Sequence, residues 1–327
     1  MNFNEAVNIL KITADEEKLI RFYGVTFGQI KWRRQTIVDK LNGDESLFRQ
    51  EYPSNYQEAF LLSGTPVFNN EIVIDRLKEL EQRYAENPPK VGRLEYDYEN
   101  QMIVDRSIRF VEDRNGPITI YEMPKDGYPY CIGGDIAEGG IDFSAMTVIN
   151  NVTGEQIATY HTHTDTDLYA KDMYCLGMFY NTALLAPEDN FDKHPVKELQ
   201  RLQYPNLYIK EQLEKFTEDA QKKYGWTTNQ VTRPMLIGNL VTIVRETPEL
   251  INDLETLREM LTFAKDKNGR PGAIAGKHDD TIFGCGIAHK IRHQQKSTVK
   301  LQEEKKTPVQ LHKEKLFKQS QKHRRFS

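Results

Sequence analysis

Three groups of acidic residues stand far apart in this sequence, each at the edge of an apolar segment. They are Asp135, the pair Glu188 and Asp189, and the pair Asp279 and Asp280. A carboxylate at the end of a buried segment needs a cation, hydrogen bonds or a proton to offset its desolvation. The three groups therefore direct attention to cation-dependent chemistry.

Carboxylates that converge repel one another, and hard divalent cations relieve that repulsion. Mg²⁺ binds one or two carboxylates together with waters and substrate phosphate oxygens. Two such ions about 3.5–4 Å apart can hydrolyse a phosphodiester. We therefore predict a site for two Mg²⁺ or Mn²⁺ ions, formed by Asp135, by Glu188 or Asp189, and by the last acidic pair.

Helical geometry separates the two acids of the last pair. Adjacent helix residues point about 100° apart, so Asp279 and Asp280 do not share a direction. Asp280 lies on one stripe with Gly284 and Ile287, which predicts an inward orientation and makes it the favoured ligand. Asp279 is expected to be a helix-start anion or a second ligand. His278 could orient a water or a phosphate, although a structural role is favoured.

Two glycine pairs, Gly133-Gly134 and Gly139-Gly140, lie on either side of Asp135. Glycine allows a backbone, a metal or a phosphate to come close where a Cβ would obstruct it. The alternative interpretation of this stretch alone is an aspartate that caps a turn.

The elements that must position these acids alternate in type. Strands are predicted at 130–135, 145–150, 156–161 and 182–186, with a further candidate at 207–210. Helices are predicted at 167–181, 195–202, 236–261 with an interruption at Pro248, and 278–293. This order predicts an α/β fold with a mixed central sheet.

The N-terminal part is predicted to be mainly helical. Thr13 and Glu16 have the spacing of a capping box, and helices are expected at 27–41 and 70–86. Short strands are expected near 92–98 and 118–122. We divide the chain into a helical region (1–66), a connector (67–126), an α/β domain (127–293) and a tail (294–327).

Composition restricts the class of protein. Of the 327 residues 38% are hydrophobic and 28% are charged, and no apolar run is long enough to cross a membrane. Three widely spaced cysteines are typical of a reducing compartment, which favours the cytoplasm. The segment from Lys290 to Ser327 carries twelve basic and three acidic residues, against a net charge of −4 for the whole chain. This tail is expected to be a disordered end or an electrostatic arm for phosphate.

His161 and His163, followed by Asp165 and Asp167, form another polar group. Metal binding by this His-x-His is conceivable. Alternation at the end of a strand predicts instead that both imidazoles lie on one solvent-exposed face.

Several motifs, in order, resemble the C-terminal part of the large terminase subunit of tailed bacteriophages, a DNA-packaging motor. They are Glu51-Tyr52-Pro53-Ser54, Glu58-Ala59-Phe60, Gly64-Thr65-Pro66-Val67-Phe68, Gly134-Asp135 through Gly140 to Asp142, Glu188-Asp189-Asn190, Tyr224-Gly225-Trp226-Thr227-Thr228-Asn229 with Arg233-Pro234, and Lys277-His278-Asp279-Asp280.

This resemblance implies an RNase H-like nuclease that cuts concatemeric viral DNA during packaging. Its acidic positions match Asp135, Glu188 and Asp280, with Asp189 and Asn190 as possible auxiliary residues. The implied partners are double-stranded DNA, a packaging ATPase half, the portal protein and the terminase small subunit, with no membrane. The implied place of action is the cytoplasm of the bacterial host and, transiently, the portal of the procapsid.

The sequence departs from the family in one respect. The segment from Gly272 to His278 is one residue short of a Walker A loop and lacks its Ser or Thr. We therefore expect no ATPase activity from this chain alone, and the region 1–66 would be the remnant of the ATPase part.

Arg233, Arg245 and Lys277 are candidate contacts for DNA phosphates, because exposed basic side chains bind the backbone without reading sequence. Two alternatives to the packaging nuclease are another RNase H-like nuclease, such as a junction resolvase or recombinase, and a non-catalytic docking module that couples a separate ATPase to the portal.

Overall fold

The computed structural model describes residues 11–52, 65–136, 143–190, 193–210, 223–274 and 276–295. Most of the basic tail, the second glycine pair and the motif residues within 53–64 lie outside the described residues. No helix among the described residues is both long enough and apolar enough to span a membrane.

The bounds of the regular elements are as follows. The strands are β1 (Thr65–Pro66), β2 (Lys90–Glu95), β3 (Tyr98–Glu99), β4 (Met102–Ile103), β5 (Arg109–Glu112), β6 (Ile118–Ile120), β7 (Tyr130–Asp135), β8 (Ser144–Asn150), β9 (Gln156–Thr162), β10 (Leu184–Pro187), β11 (Phe263–Lys265) and β12 (Pro271–Ala273). The helices are α1 (Ala14–Tyr23), α2 (Phe27–Leu41), α3 (Glu45–Glu51), α4 (Asn70–Glu86), α5 (Thr166–Phe179), α6 (His194–Arg201), α7 (Thr232–Glu246), α8 (Leu254–Leu261) and α9 (Asp280–Ile291).

A seven-stranded mixed sheet with the order β10-β7-β8-β9-β6-β2-β5 forms the centre of the molecule. Strands β7, β8 and β9 are antiparallel neighbours, and β10 lies parallel to β7 on the other side. Beyond β10, Leu207 forms a parallel bridge with Leu185. An antiparallel meander extended by parallel strands beside its first strand is the RNase H-like arrangement. The predicted α/β fold class is confirmed.

The sheet separates two hydrophobic cores because β7 and β8 are buried on both faces. On one face, Ile132 and Met146 pack with Tyr169 and Met173 of α5. On the other, Cys131 packs with residues of α4, α7, α8 and α9. A strand buried on both faces appears in the sequence as a continuous apolar run, and the apolar run of β7 predicts such a strand.

The N-terminal helices form as their caps predict. The Thr13 hydroxyl accepts from the backbone of Glu16, whose carboxylate accepts from the Thr13 N–H at 2.9 Å. Thr26 and Gln29 form a second capping box at the start of α2. Helix α2 ends at Asn42, which adopts the left-handed conformation that a C-cap requires. The predicted bounds of α2 and α4 are those of the structure.

The region called a connector in the sequence analysis contributes to the central sheet. Strand β6 pairs with β9, and β2 pairs with both β6 and β5. Helix α4 packs against α8 on the same side as α9. Strands β5 and β6, of four and three residues, carry too little alternation for sequence reasoning to join them to a distant strand.

Two other predicted elements differ in part from those observed. The helical stretch predicted over 236–261 is divided at Pro248 as predicted, into α7, a 3₁₀ turn (Pro248–Leu250) and α8, but it begins earlier, at Thr232. Pro248 ends the first part, and Asp253 starts the second because its carboxylate accepts from the backbone N–H of Thr256 at 2.7 Å. The strand candidate at 207–210 forms only isolated bridges, through Leu207 and Ile209.

Glycines at the end of β7 permit the close approach of helices on both sides of the sheet. A Cβ on Gly133 would lie 2.3 Å from the backbone nitrogen of Ala288 and 2.4 Å from the carbonyl oxygen of Gly284, both in α9. A Cβ on Gly134 would lie 2.1 Å from the hydroxyl of Tyr169. The first glycine pair therefore serves helix packing, and α9 can lie directly against the strand that ends at Asp135.

We expect Gly133→Ala to destabilise the protein by about 1–3 kcal/mol or more, since α9 must shift to admit the methyl group. Urea unfolding followed by far-UV circular dichroism measures this change. Gly238→Ala in α7 is the control, because no atom lies within 4 Å of its added Cβ and alanine favours a helix. Equal midpoints for Gly133→Ala and the unaltered chain would contradict the packing role.

Candidate functional site

Parallel pairing of β7 and β10 brings the first two predicted acids to one edge of the sheet. Asp135 is the last residue of β7, and Glu188 directly follows β10. The backbone N–H of Glu188 donates to the carbonyl oxygen of Gly134 at 2.9 Å. Carboxyl ends of parallel strands lie at the same edge, so neighbouring strands place both carboxyl groups together.

The carboxyl groups of Asp135 and Glu188 lie together, with Glu188 buried and Asp135 half-buried. Burial raises the pKa of Asp135 well above its usual value, and the hydrogen bond with Glu188 and its negative charge raise that pKa further. Smaller contributions come from Asp280 and Asp279. Burial and the three neighbouring acids thus all act on Asp135 in the same direction, and each disfavours its ionised form.

Asn190 fixes the orientation of Glu188. Its amide nitrogen donates to Oε1 of Glu188 at 2.8 Å, and its own Oδ1 accepts from the backbone N–H of Thr228 at 2.8 Å. The side chain of Glu188 is therefore held toward Asp135 by a residue two positions further along the chain.

Asp189 has a different environment from Glu188. Its carboxylate is paired with the ammonium group of Lys210 and accepts from the hydroxyl of Thr227 at 2.7 Å. Its backbone N–H donates to the carbonyl oxygen of Trp226 at 2.9 Å. These contacts connect the loop after β10 to the segment around Trp226, so of the two adjacent acids it is Glu188 that contacts Asp135.

Asp280 is the first residue of α9 and is directed toward the sheet. Its Oδ2 accepts from the backbone N–H of Phe143 at 3.3 Å and lies 3.8 Å from Nδ1 of His278. The ring of His278 also contacts that of Phe143 edge-on at 5.7 Å. The inward orientation inferred from the helical stripe agrees with this position, and His278 lies beside Asp280.

Asp279 forms an ion pair with Arg233, whose guanidinium nitrogen lies 3.2 Å from its Oδ2. The same guanidinium lies over the ring of Phe283 at 4.1 Å. Arg233, a candidate DNA contact, is therefore engaged at the start of α9. Asp279 thus has a cationic partner of its own, which is a different environment from that of Asp280.

The other two basic candidates occupy different places. Lys277 is exposed in the turn that precedes α9, three residues before Asp280. Arg245 is exposed, forms an ion pair with Glu246 at 2.8 Å, and lies about 18 Å along α7 from Arg233 at 1.5 Å per residue. The structure thus brings Lys277, but not Arg245, next to the acids.

Glu259 is an acid that sequence reasoning missed. Its Oε2 accepts from the backbone N–H groups of Thr281 and Ile282 at 3.0 and 3.2 Å, and from the Thr281 hydroxyl at 2.6 Å. It thereby binds the N-terminus of α9 and fixes the helix that carries Asp280. Burial raises the pKa of Glu259 to about 8. In the sequence it is one of several acids in a charged helix, with no local motif.

His161 lies on the inner face of the sheet, so the predicted solvent-exposed face is wrong for this residue. In the pairing of β7, β8 and β9, Asp135 lies opposite Ala145, which lies opposite His161. Cross-strand partners point to the same face. Burial lowers the pKa of His161 and favours the neutral imidazole. His163 is exposed, with its ring stacked on Phe143 at 3.7 Å.

Comparison with known proteins finds similarity among solved structures. No family model matches the sequence, and no curated protein matches it. The chain is similar in structure to large terminase nucleases. That of thermophilic phage G20c with bound magnesium is 16% identical, with a TM-score of 0.46 over 69% of this chain and 97% of that one. The nuclease domain of Thermus phage P74-26 is 19% identical, with a TM-score of 0.42 over 54% of this chain and 86% of that one.

The raised pKa of Asp135 predicts a pH-dependent stability in the absence of divalent cations. Above its unfolded value of 3.8 the unfolded chain releases this proton while the folded chain keeps it, so the free energy of unfolding falls as pH rises. We expect Asp135→Asn to have a flatter profile as pH rises above 3.8. Urea unfolding in the presence of a chelator measures both profiles, and identical slopes would contradict the prediction.

Proposed function

We propose that this chain is a divalent-cation-dependent DNA endonuclease of the phage large terminase type. The observation that carries the proposal is the convergence of three acids from distant parts of the sequence. Asp135 and Glu188 lie together at one sheet edge, and Asp280 enters from α9 close enough to raise the pKa of Asp135. Carboxylates gathered in this way repel one another, and a bound cation relieves that repulsion.

The donor set fits Mg²⁺ or Mn²⁺. The acids offer carboxylate oxygens, which are the ligands that these hard cations take. Asn190 acts through Glu188, because its amide nitrogen donates to Oε1 of that carboxylate. Asp135, Glu188 and Asp280 would hold two ions, with Asp279 as a further ligand. When bound, such ions supply activation of water and stabilisation of the leaving oxygen in phosphodiester hydrolysis.

The other residues of the site position these ligands. Asn190 holds the carboxyl group of Glu188, the Phe143 N–H holds that of Asp280, and Glu259 binds the first turn of α9. Arg233 neutralises Asp279 and leaves Asp280 as the inner acid of the pair. Ligands held in this way need little reorganisation when a cation and a phosphodiester bind.

The proposed substrate is double-stranded viral DNA, cut from concatemers during packaging. This part of the proposal follows from the sequence motifs that resemble the large terminase subunit. Lys277 and Arg233 would contact phosphates beside the acids. The proposed partners are a packaging ATPase half, the portal protein and the terminase small subunit, in the host cytoplasm and transiently at the portal of the procapsid.

We expect the full chain to nick plasmid DNA when Mn²⁺ or Mg²⁺ is added, and Asp135→Asn to lower the rate by on the order of 10²–10³-fold. The asparagine keeps the shape of the side chain but removes the negative charge that a cation requires. Conversion of supercoiled to open-circular plasmid on agarose gels measures the rate.

Asp167→Asn is the matched control, since it removes an exposed acid of α5 and should leave the rate unchanged. Glu188→Gln should reproduce the loss. Cleavage that survives Asp135→Asn, or absence of cleavage with either cation, would contradict the proposal. Strong preference for branched over linear DNA would favour a resolvase instead.

A further inference from the structure

A second group of potential metal ligands lies beside the acids already described. One ligand atom from each of His161, Glu259 and Asp280 lies within 4.8 Å of the others. The three residues come from β9, α8 and α9, so only the packing of these elements brings them together. Two of the three, His161 and Glu259, have no part in the proposed nuclease centre as ligands.

Glu259 presents a buried oxygen that the protein does not satisfy. Its residue is 4% exposed, and Oε2 is occupied by the three donors at the start of α9. Oε1 is buried and has no hydrogen-bond partner in the described part of the chain. A buried polar atom in this state calls for an explanation such as a bound ion.

His161 presents a second such atom. Its Nε2 is buried and likewise lacks a hydrogen-bond partner among the residues that the structure describes. The ring of Phe143 packs on the imidazole at 4.5 Å between centroids and limits its rotation. Phe143 also binds Asp280 through its backbone N–H, so one residue contacts two members of the group.

We propose that His161, Glu259 and Asp280 form a site for a first-row transition-metal ion of the Zn²⁺ class. A single cation there would bind both unsatisfied atoms and the nearby carboxylate of Asp280. An imidazole nitrogen suits Zn²⁺ and related ions, whereas Mg²⁺ takes oxygen ligands. Three protein ligands leave at least one coordination position open to solvent.

The spacing of the group is compatible with this occupant. Ligand atoms at about 2.0–2.2 Å from a tetrahedral Zn²⁺ lie about 3.3–3.6 Å from each other. The three ligand atoms here all lie within 4.8 Å of one another, so a bound ion would draw them together by up to about 1.5 Å.

The site is distinct from the proposed nuclease centre although it uses Asp280 as well. Across the sheet, Asp135 and His161 lie on either side of Ala145, so about 10 Å separates their backbones at 4.8 Å per strand. Asp280 can thus serve cations on both sides, and the transition-metal site does not require nuclease activity.

The test uses Co²⁺, a visible substitute for Zn²⁺, added to the metal-free full chain in excess Mg²⁺. We expect a d–d absorption band that saturates at one equivalent, since Mg²⁺ occupies the all-oxygen ligands. Glu259→Gln and His161→Gln should each weaken Co²⁺ binding by about 10–100-fold or more. His163→Gln, which removes the exposed neighbouring imidazole, should leave it unchanged.

Asp135→Asn separates the two proposals, because it should abolish DNA nicking and leave the Co²⁺ band intact. Chains that bind Co²⁺ but never cleave DNA would refute the nuclease and keep the metal site. Unchanged Co²⁺ affinity in folded His161→Gln would overturn the metal site, as would loss of the band in Asp135→Asn alone. The Co²⁺ affinity of Glu259→Gln is compared only if circular dichroism shows native helix content. If Glu259→Gln does not fold, the affinity of His161→Gln decides the test.

Discussion

Repulsion among converging carboxyl groups is the constraint on which the site depends. Glu188 and Asp280 both disfavour the ionised form of Asp135. Separate hydrogen bonds hold the acids in place. The amide of Asn190 donates to Glu188, and the backbone N–H of Phe143 donates to Asp280. A cation would convert this repulsion into attraction, which is why the arrangement favours a metal-dependent function over a purely structural one.

Close packing of α9 against β7 delivers the third acid. Gly133 permits the contact, since any side chain there would collide with the backbone of α9. Glu259 then secures the N-terminus of that helix through three hydrogen bonds. The position of Asp280 thus depends on Gly133 of β7, which has no Cβ, and on the buried carboxylate of Glu259 in α8.

Asp280 also connects the two proposals. On one side it approaches Asp135, and on the other it belongs to the group formed with His161 and Glu259. The first group contains oxygen donors and the second includes an imidazole, so their preferences for cations differ. A protein with both ligand groups could bind hydrolytic cations at one group and a transition-metal ion at the other, with Asp280 between them.

The sequence by itself determined the elements that carry strong local patterns. The buried run of β7, the bounds of α2 and α4, and the inward stripe of α9 could be predicted because periodicity and caps are encoded within each element. The resemblance selected Glu188 over its neighbour, and the contacts of Asp189 with Lys210 agree with that choice. Only the tertiary structure decided that β2, β5 and β6 complete the sheet, and that Glu259 and the inward face of His161 meet Asp280. These are contacts between residues about 20 to 120 positions apart, and no local pattern encodes such pairings.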